Sequence, residues 1–167
     1  LPETVVEFDL PALLDNSYVS DNIERLNLYR KLARASDEQQ IEDWKEEVTD
    51  RFGAIPRSGL NLITAARIKL FASHNFFTKV TVRSDRMWLA CPKQSSELGE
   101  EFYKSRFQQL IKTLQSEAAD RLQVIQKDDR VRFVISEIPD LDAAAEFLKV
   151  LFEQIAEEEE VAVVNEQ

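Results

Sequence analysis

The chain has 167 residues, the size of one ordinary domain, and its 44% hydrophobic content with ten phenylalanines is enough to bury a core. Its 31 acidic and 21 basic side chains give a formal net charge of −10. Each phosphate contact needs local positive charge, so this balance argues against general attraction to nucleic acid or to an anionic membrane. We therefore expect no direct nucleic-acid or membrane partner, and we expect basic proteins as partners instead.

The cysteine content and the length of the apolar runs predict where in the cell the chain is located. Cys91 is the single cysteine, so no disulfide can form within the chain, and a cytoplasmic location is expected. No apolar run approaches the roughly 20 residues that cross a bilayer. The chain begins at Leu1 and Met87 is its one methionine, which indicates a piece of a longer polypeptide.

The first half of the sequence predicts one strand and three helices. The run "TVVEF" predicts a strand from Thr4 to Phe8, ended by Pro11. Ser20 is the expected N-cap of a first helix, and Ser36 with Gln39 forms a capping-box pattern for a second helix that ends at Gly53. The apolar face expected for the first helix comprises Ile23, Leu26, Tyr29, Leu32 and Ala33. A third helix is predicted from Arg57 to His74, with Pro56 in its first turn.

In the second half of the sequence the apolar residues recur at every second position, which is typical of strands. One hairpin is expected to turn at Ser84 and Asp85 and another at Asp128 and Asp129, with a helix from Glu100 to Ala118 between them. Asp140 is expected to cap a last helix. The predicted fold class is α+β: an N-terminal helical unit, then two hairpins forming an antiparallel sheet with helices packed on it. We expect one domain over residues 1–160 and a disordered tail over 161–167.

Sequence motifs for catalysis, metal binding or cofactor binding are scarce. No glycine-rich phosphate loop occurs, and a single histidine excludes zinc sites with two or three imidazoles. His74 at a helix end is expected to bond the last carbonyls, and Cys91 to pack as a small hydrophobe. Trp44 and Trp88 are both expected in the core. We predict no catalytic residue, no metal site and no cofactor; a small hydrolase using Ser73 or Cys91 with His74 is the enzymatic alternative.

A charge pattern on the second helix is the remaining feature. Its predicted buried stripe is Ile41, Trp44 and Val48. The opposite half carries carboxylates at i, i+3, i+4 and i+7, with Glu42 continuing them: Asp43, Glu46, Glu47 and Asp50. They repel one another and lie late in the helix, where the macrodipole disfavours negative charge. Basic residues of the first helix could neutralise them internally, or they could form a recognition surface for an arginine-rich partner.

Three strings carry a resemblance to a known family. "RLNLYRKLA", then "DEQQIEDWKEEVTDRFGAIP", then "GLNLITAARIKL" resemble the C-terminal domain of the bacterial transcription-repair coupling factor, the Mfd family. The matching motif residues include Arg25, Tyr29 and the run from Asp50 to Gly53. The resemblance covers about the first 70 residues; beyond Asn75 it rests on the order of the elements.

The resemblance implies a non-catalytic regulatory domain of an ATP-dependent DNA translocase. Such a domain docks on the UvrB-homology module of the same protein and masks recruitment of UvrA until the protein engages RNA polymerase. The family's contact carboxylates correspond to Glu47 and Asp50 here. Asp43 and Glu46 are added as rim contributors from helical spacing alone. The alternatives are a standalone acidic interaction module and an acidic nucleic-acid mimic, and the mimic predicts binding that modest salt abolishes.

Overall fold

Helices fill the first half of the chain after one short strand. The computed structural model describes residues 1–166. It places β1 at Val5–Phe8, α1 at Asn22–Ala33, α2 at Glu38–Phe52 and α3 at Arg57–His74. The predicted third helix is therefore confirmed, as is the end of α2 at Gly53, whose φ of +89° suits glycine.

The predicted N-caps of α1 and α2 are each one residue too early. Asp21 caps α1 by accepting a hydrogen bond from the Glu24 N–H at 2.9 Å. Asp37 caps α2 by accepting one from the Gln40 N–H at 2.8 Å. In both places a serine is followed directly by an aspartate, and the carboxylate also interacts favourably with the positive end of the helix.

The apolar face predicted for α1 is also wrong in part. Leu28 and Leu32 are buried, whereas Ile23 is 74% exposed and Leu26 47% exposed. At 100° per residue, Ile23 and Leu26 lie about 140–160° around the helix from Leu28. The predicted set therefore mixed two faces of α1, and one of them is in solvent.

The second half forms two hairpins, two short helices and a long last helix. Their bounds are β2 Lys79–Arg83, β3 Arg86–Ala90, α4 Glu97–Ser105, α5 Phe107–Ala118, β4 Leu122–Lys127, β5 Arg130–Ser136 and α6 Leu141–Glu166. Both predicted turns are confirmed, with φ of 52° and 61° at Ser84 and Asp85 and of 53° and 63° at Asp128 and Asp129. Two central residues with positive φ make the tight turns that suit antiparallel strands.

The single helix predicted between the hairpins is two helices that meet at Arg106. The break lets aromatic rings of both helices pack together, with the Tyr103 and Phe107 ring centroids 5.1 Å apart. The Tyr103 hydroxyl also accepts a hydrogen bond from the Val131 N–H at 3.1 Å. Aromatic packing and this bond fix the change of direction, which helical periodicity alone does not reveal.

The sheet has five strands in the order β1-β2-β3-β5-β4. Strands β2 to β5 are antiparallel as predicted, but β1 pairs with β2 in parallel, with Val6 opposite Val80. The sheet is therefore mixed, and the prediction of a purely antiparallel sheet is corrected. A parallel pair needs a long crossover connection, and the three helices between β1 and β2 supply it.

Alternate side chains of the strands form two faces of this sheet. On the inner face Val80, Met87, Leu89 and Phe133 are buried. The last helix α6 begins after Asp140, whose carboxylate accepts from the Ala143 N–H at 2.8 Å and so confirms the predicted cap. The buried side chains of α6 end at Ile155.

The outer face of the sheet is the side opposite to Val80, Met87 and Leu89. It carries the exposed or half-buried side chains of β2 and β3.

The predicted tail overlaps the end of α6. Residues 161–166 are helical with exposed side chains, and Gln167 lies outside the described residues. The division into one domain over 1–160 and a tail stays a prediction. None of the helices within residues 1–166 combines the length and apolar character needed to cross a bilayer.

Candidate partner-binding surface

The orientation of α2 is set by its buried stripe. Ile41, Trp44 and Val48 are 1%, 2% and 0% exposed. The Trp44 indole N–H donates a hydrogen bond to the Leu28 carbonyl of α1 at 2.9 Å. This bond and the stripe tie α2 to α1, and the predicted stripe is confirmed. The other half of α2 therefore faces solvent.

The four predicted carboxylates lie together on that solvent-facing half. We call Asp43, Glu46, Glu47 and Asp50 the acidic surface. Asp43 accepts a hydrogen bond from the Gln39 amide at 2.9 Å. Glu47 pairs with Lys31 of α1, with 3.2 Å between Nζ and Oε2. Glu46 and Asp50 are exposed, and within residues 1–166 neither makes an ion pair or a side-chain hydrogen bond.

Internal neutralisation of the acidic surface is therefore only partial. Lys31 alone among the basic residues of α1 reaches one of the four carboxylates, and its side chain is 63% exposed. An ion pair this exposed contributes at most about 1 kcal/mol and exchanges readily. The acidic surface keeps most of its negative charge after folding.

Arg51 makes contacts within the domain. Its guanidinium pairs with the Glu24 carboxylate of α1 and lies 4.9 Å from the centroid of the Phe52 ring. Glu24 and Arg51 thus join α1 to the end of α2. Arg51 is a packing residue beside the acidic surface rather than a member of it.

A groove between α1 and α2 adjoins the acidic surface. Its volume is about 550 Å³, and we call it the α1–α2 groove. It is lined by Asp21, Ile23, Glu24, Asn27, Leu28, Lys31, Glu47 and Arg51. Sequence reasoning missed Ile23 and Asn27 as site residues because Ile23 had been assigned to the packed face of α1. The position of Ile23 on the side of α1 opposite Leu28 and Leu32 is the signal that could have identified it as a surface residue.

The residues of the hydrolase alternative are engaged elsewhere. His74 Nδ1 lies 2.8 Å from the Leu70 carbonyl, and the imidazole packs edge-on against Phe152. The Ser73 hydroxyl donates to the Pro2 carbonyl at 2.8 Å. Cys91 is fully buried, and burial raises the pKa of its thiol to about 12. Within residues 1–166, His74 makes no hydrogen bond to Ser73 or to Cys91, so these three side chains do not form the nucleophile–base pair of the hydrolase alternative.

Comparison with known families identifies the chain's relatives. The family model of the TRCF domain matches residues 8–102, which run from the last residue of β1 through α1, α2 with the acidic surface, α3, β2 and β3 into α4. The chain belongs to the TRCF domain family. The TRCF domain is the C-terminal domain of the transcription-repair coupling factor, Mfd, and that factor is linked to DNA repair. The resemblance carried by the sequence motifs is thereby confirmed.

Individual relatives agree with the assignment of a TRCF domain. The transcription-repair-coupling factors of Buchnera aphidicola and Escherichia coli are 43% and 36% identical to it over 67 residues, 40% of this chain. The factor of Mycobacterium tuberculosis is 37% identical over 81 residues, 47% of this chain. These alignments cover only 8%, 6% and 7% of the relatives, so the chain spans a small part of their length.

A solved structure extends the likeness beyond the family match. The crystal structure of a C-terminal domain of transcription-repair coupling factor superposes with a TM-score of 0.72 at 18% identity. It covers 94% of this chain and 96% of that chain. The second half, which the sequence motifs did not reach, therefore shares the fold of that domain.

Proposed function

We propose that this TRCF domain is a non-catalytic regulatory domain that docks on the UvrB-homology module of the same protein. Docking masks the surface that recruits UvrA and holds the factor in a repressed state. The acidic surface carries the contact, with Glu47 and Asp50 as its anchors and Asp43 and Glu46 at the rim. The complete factor is then an ATP-dependent DNA translocase of the cytoplasm that is released when it engages RNA polymerase.

The unpaired carboxylates are the observation that carries this proposal. Glu46 and Asp50 stay exposed without a cation partner in residues 1–166, and α2 places them beside two further carboxylates. Mutual repulsion and the negative end of the helix both disfavour this arrangement in the isolated domain. Arginines of a partner would offset both unfavourable effects. Their planar guanidinium groups can bind a carboxylate through two hydrogen bonds.

The α1–α2 groove gives the docking surface an apolar element. Ile23 at its rim is 74% exposed and lies in the same groove as Glu47. A mixed patch of one apolar side chain and several carboxylates is typical of a specific interface, in which few residues dominate the affinity. This composition favours a docking surface over a nucleic-acid mimic, which needs carboxylates spread evenly over a broad face.

The contact between Lys31 and Glu47 makes the interface releasable. To bind an arginine of the module fully, Glu47 exchanges Lys31 for the incoming guanidinium. The exposed pair costs at most about 1 kcal/mol to break and re-forms when the module leaves, so it lowers the net free energy of docking. Binding of UvrA or of RNA polymerase to the open state shifts the equilibrium towards that state.

Calorimetry of the domain with the separately expressed UvrB-homology module tests the proposal. We expect Glu47→Gln/Asp50→Asn to weaken binding about hundredfold or more, equivalent to about 3 kcal/mol, since each loss leaves an arginine of the partner unpaired. The matched control is Glu157→Gln/Glu160→Gln, which removes the same charge from the exposed end of α6. This control should bind as the wild type does.

Two results would contradict the proposal. Equal weakening in both double variants, with binding lost at modest salt, would indicate general electrostatics and favour the nucleic-acid mimic. Absence of binding by the wild-type domain would remove the docking role altogether. Circular dichroism of every variant shows whether the fold is intact.

A further inference from the structure

Charge is segregated in this acidic domain, and strands β2 to β5 are its basic part. The strands β2, β3, β4 and β5 together contain six charged side chains, and all six are basic. They are Lys79, Arg83, Arg86, Lys127, Arg130 and Arg132. The formal net charge of −10 hides this separation.

All six basic side chains lie on the outer face of the sheet. Val80 and Val82 alternate inward on β2, which puts Lys79 and Arg83 outward. The strand register then pairs Arg83 with Arg86, Ala90 with Arg132, and Lys127 with Arg130, so these residues share that side. We call this side of β2 to β5 the basic face.

Trp88 lies at the centre of the basic face. It is half-buried on β3, opposite Thr81 of β2 and Val134 of β5. The Arg83 guanidinium lies 5.7 Å from the centroid of its ring. The core position expected for Trp88 is therefore wrong: the indole belongs to the solvent side of the sheet.

Basic rows lie on both sides of Trp88. Arg86 precedes it by two residues and is paired with Arg83, while Ala90 follows it by two and is paired with Lys79 and Arg132. Two residues of a strand span about 7 Å, so each row is about 7 Å from the indole row. The two basic rows are therefore about 14 Å apart, one on each side of the indole.

Most of these cations lack an internal partner. Lys79 pairs with Glu7 at 3.2 Å, whereas the other five make no ion pair with residues 1–166. Glu7 lies on β1 opposite Thr81, on the same side of the sheet, and Asp129 at a hairpin tip already accepts hydrogen bonds from Ser95. Asp85 lies at the opposite tip. The centre of the basic face therefore offers positive charge on either side of an aromatic ring.

We propose that the basic face binds single-stranded nucleic acid. One base stacks on the platform formed by Trp88 and Arg83, and phosphates further along the strand in each direction meet Arg86 on one side and Lys79 and Arg132 on the other. Aromatic rings and guanidinium planes stack unpaired bases without regard to sequence, which a duplex does not offer. An acidic peptide would use the charges but would have no need of the ring. This site is separate from the acidic surface and stands independently of the docking role.

Fluorescence anisotropy with a labelled 12-nucleotide oligo-dT tests the inference on the whole chain at low salt. We expect Arg86→Gln/Arg132→Gln to weaken binding at least tenfold and to reduce the slope of log K against log salt by about 1.4, since each lost phosphate contact removes about 0.7. Trp88→Leu should weaken binding severalfold and abolish the quenching of indole emission. The control Arg30→Gln/Arg34→Gln removes equal charge from the last turn of α1 and its C-cap, and it should bind as the wild type does.

Other outcomes would overturn the inference. They are absence of binding by the wild type at low salt, equal weakening by the control, and equal affinity for duplex and single strand. Displacement of the oligonucleotide by poly-glutamate at matched charge, with Trp88→Leu unchanged, would assign the face to an acidic protein segment instead.

Discussion

Replacing Trp44 with phenylalanine tests the packing that presents the acidic surface. The indole N–H donates to the Leu28 carbonyl at 2.9 Å, and the side chain is 2% exposed. Loss of this hydrogen bond costs about 1 kcal/mol. The missing second ring leaves a cavity between α1 and α2 that costs about 1–2 kcal/mol more. We therefore expect Trp44→Phe to lower the free energy of unfolding by about 2–3 kcal/mol.

Urea unfolding followed by circular dichroism measures this loss. With a slope of about 2 kcal/mol per molar urea, the midpoint should fall by about 1–1.5 M while the slope stays constant. Trp88→Phe is the matched control, because its indole is half-buried and makes no side-chain hydrogen bond within residues 1–166. A shift below about 0.3 M, or equal shifts in the two variants, would refute the assignment of Trp44 as the anchor of α2.

Three further predictions concern individual side chains. Lys31→Gln should tighten binding to the UvrB-homology module about two- to fivefold in calorimetry, since it frees Glu47 from an exposed pair; weaker binding would contradict the assigned contact. Cys91 should react with a thiol reagent at least a hundredfold more slowly in the folded chain than in urea, because burial raises its pKa to about 12. Hydrogen bonds from Ser95 lower the pKa of Asp129 below its usual 3.8, so the stability they confer is present above that value and lost as the pH falls through the lowered pKa. Acid titration of stability should therefore be shallower in Asp129→Asn, and identical curves would contradict this role.

Local chemistry made much of the fold predictable. Gly53, Asp140 and the paired turn residues such as Ser84 with Asp85 act through their own backbone geometry, and each was assigned correctly. The stripe of Ile41, Trp44 and Val48 was equally clear because its period matches one helix face. Features that depend on a few neighbouring residues were therefore readable from the sequence.

Features that depend on contacts between residues distant in the sequence were not predicted. The parallel pairing of β1 with β2 joins residues more than 70 positions apart. The break at Arg106 follows from aromatic packing between α4 and α5. Which face of α1 is buried was decided by α2, so Ile23 was misassigned. The basic face arises only when strand register aligns Arg83, Arg86 and Arg132, and the formal net charge gave no sign of it.

Binding of UvrA to the complete coupling factor carrying this domain tests the masking role most directly. Surface plasmon resonance should show weak binding by the native factor and binding at least tenfold tighter when Glu47→Gln/Asp50→Asn opens it, with Glu157→Gln/Glu160→Gln unchanged. Unchanged UvrA affinity in a variant whose domain no longer binds the UvrB-homology module would contradict masking by the acidic surface.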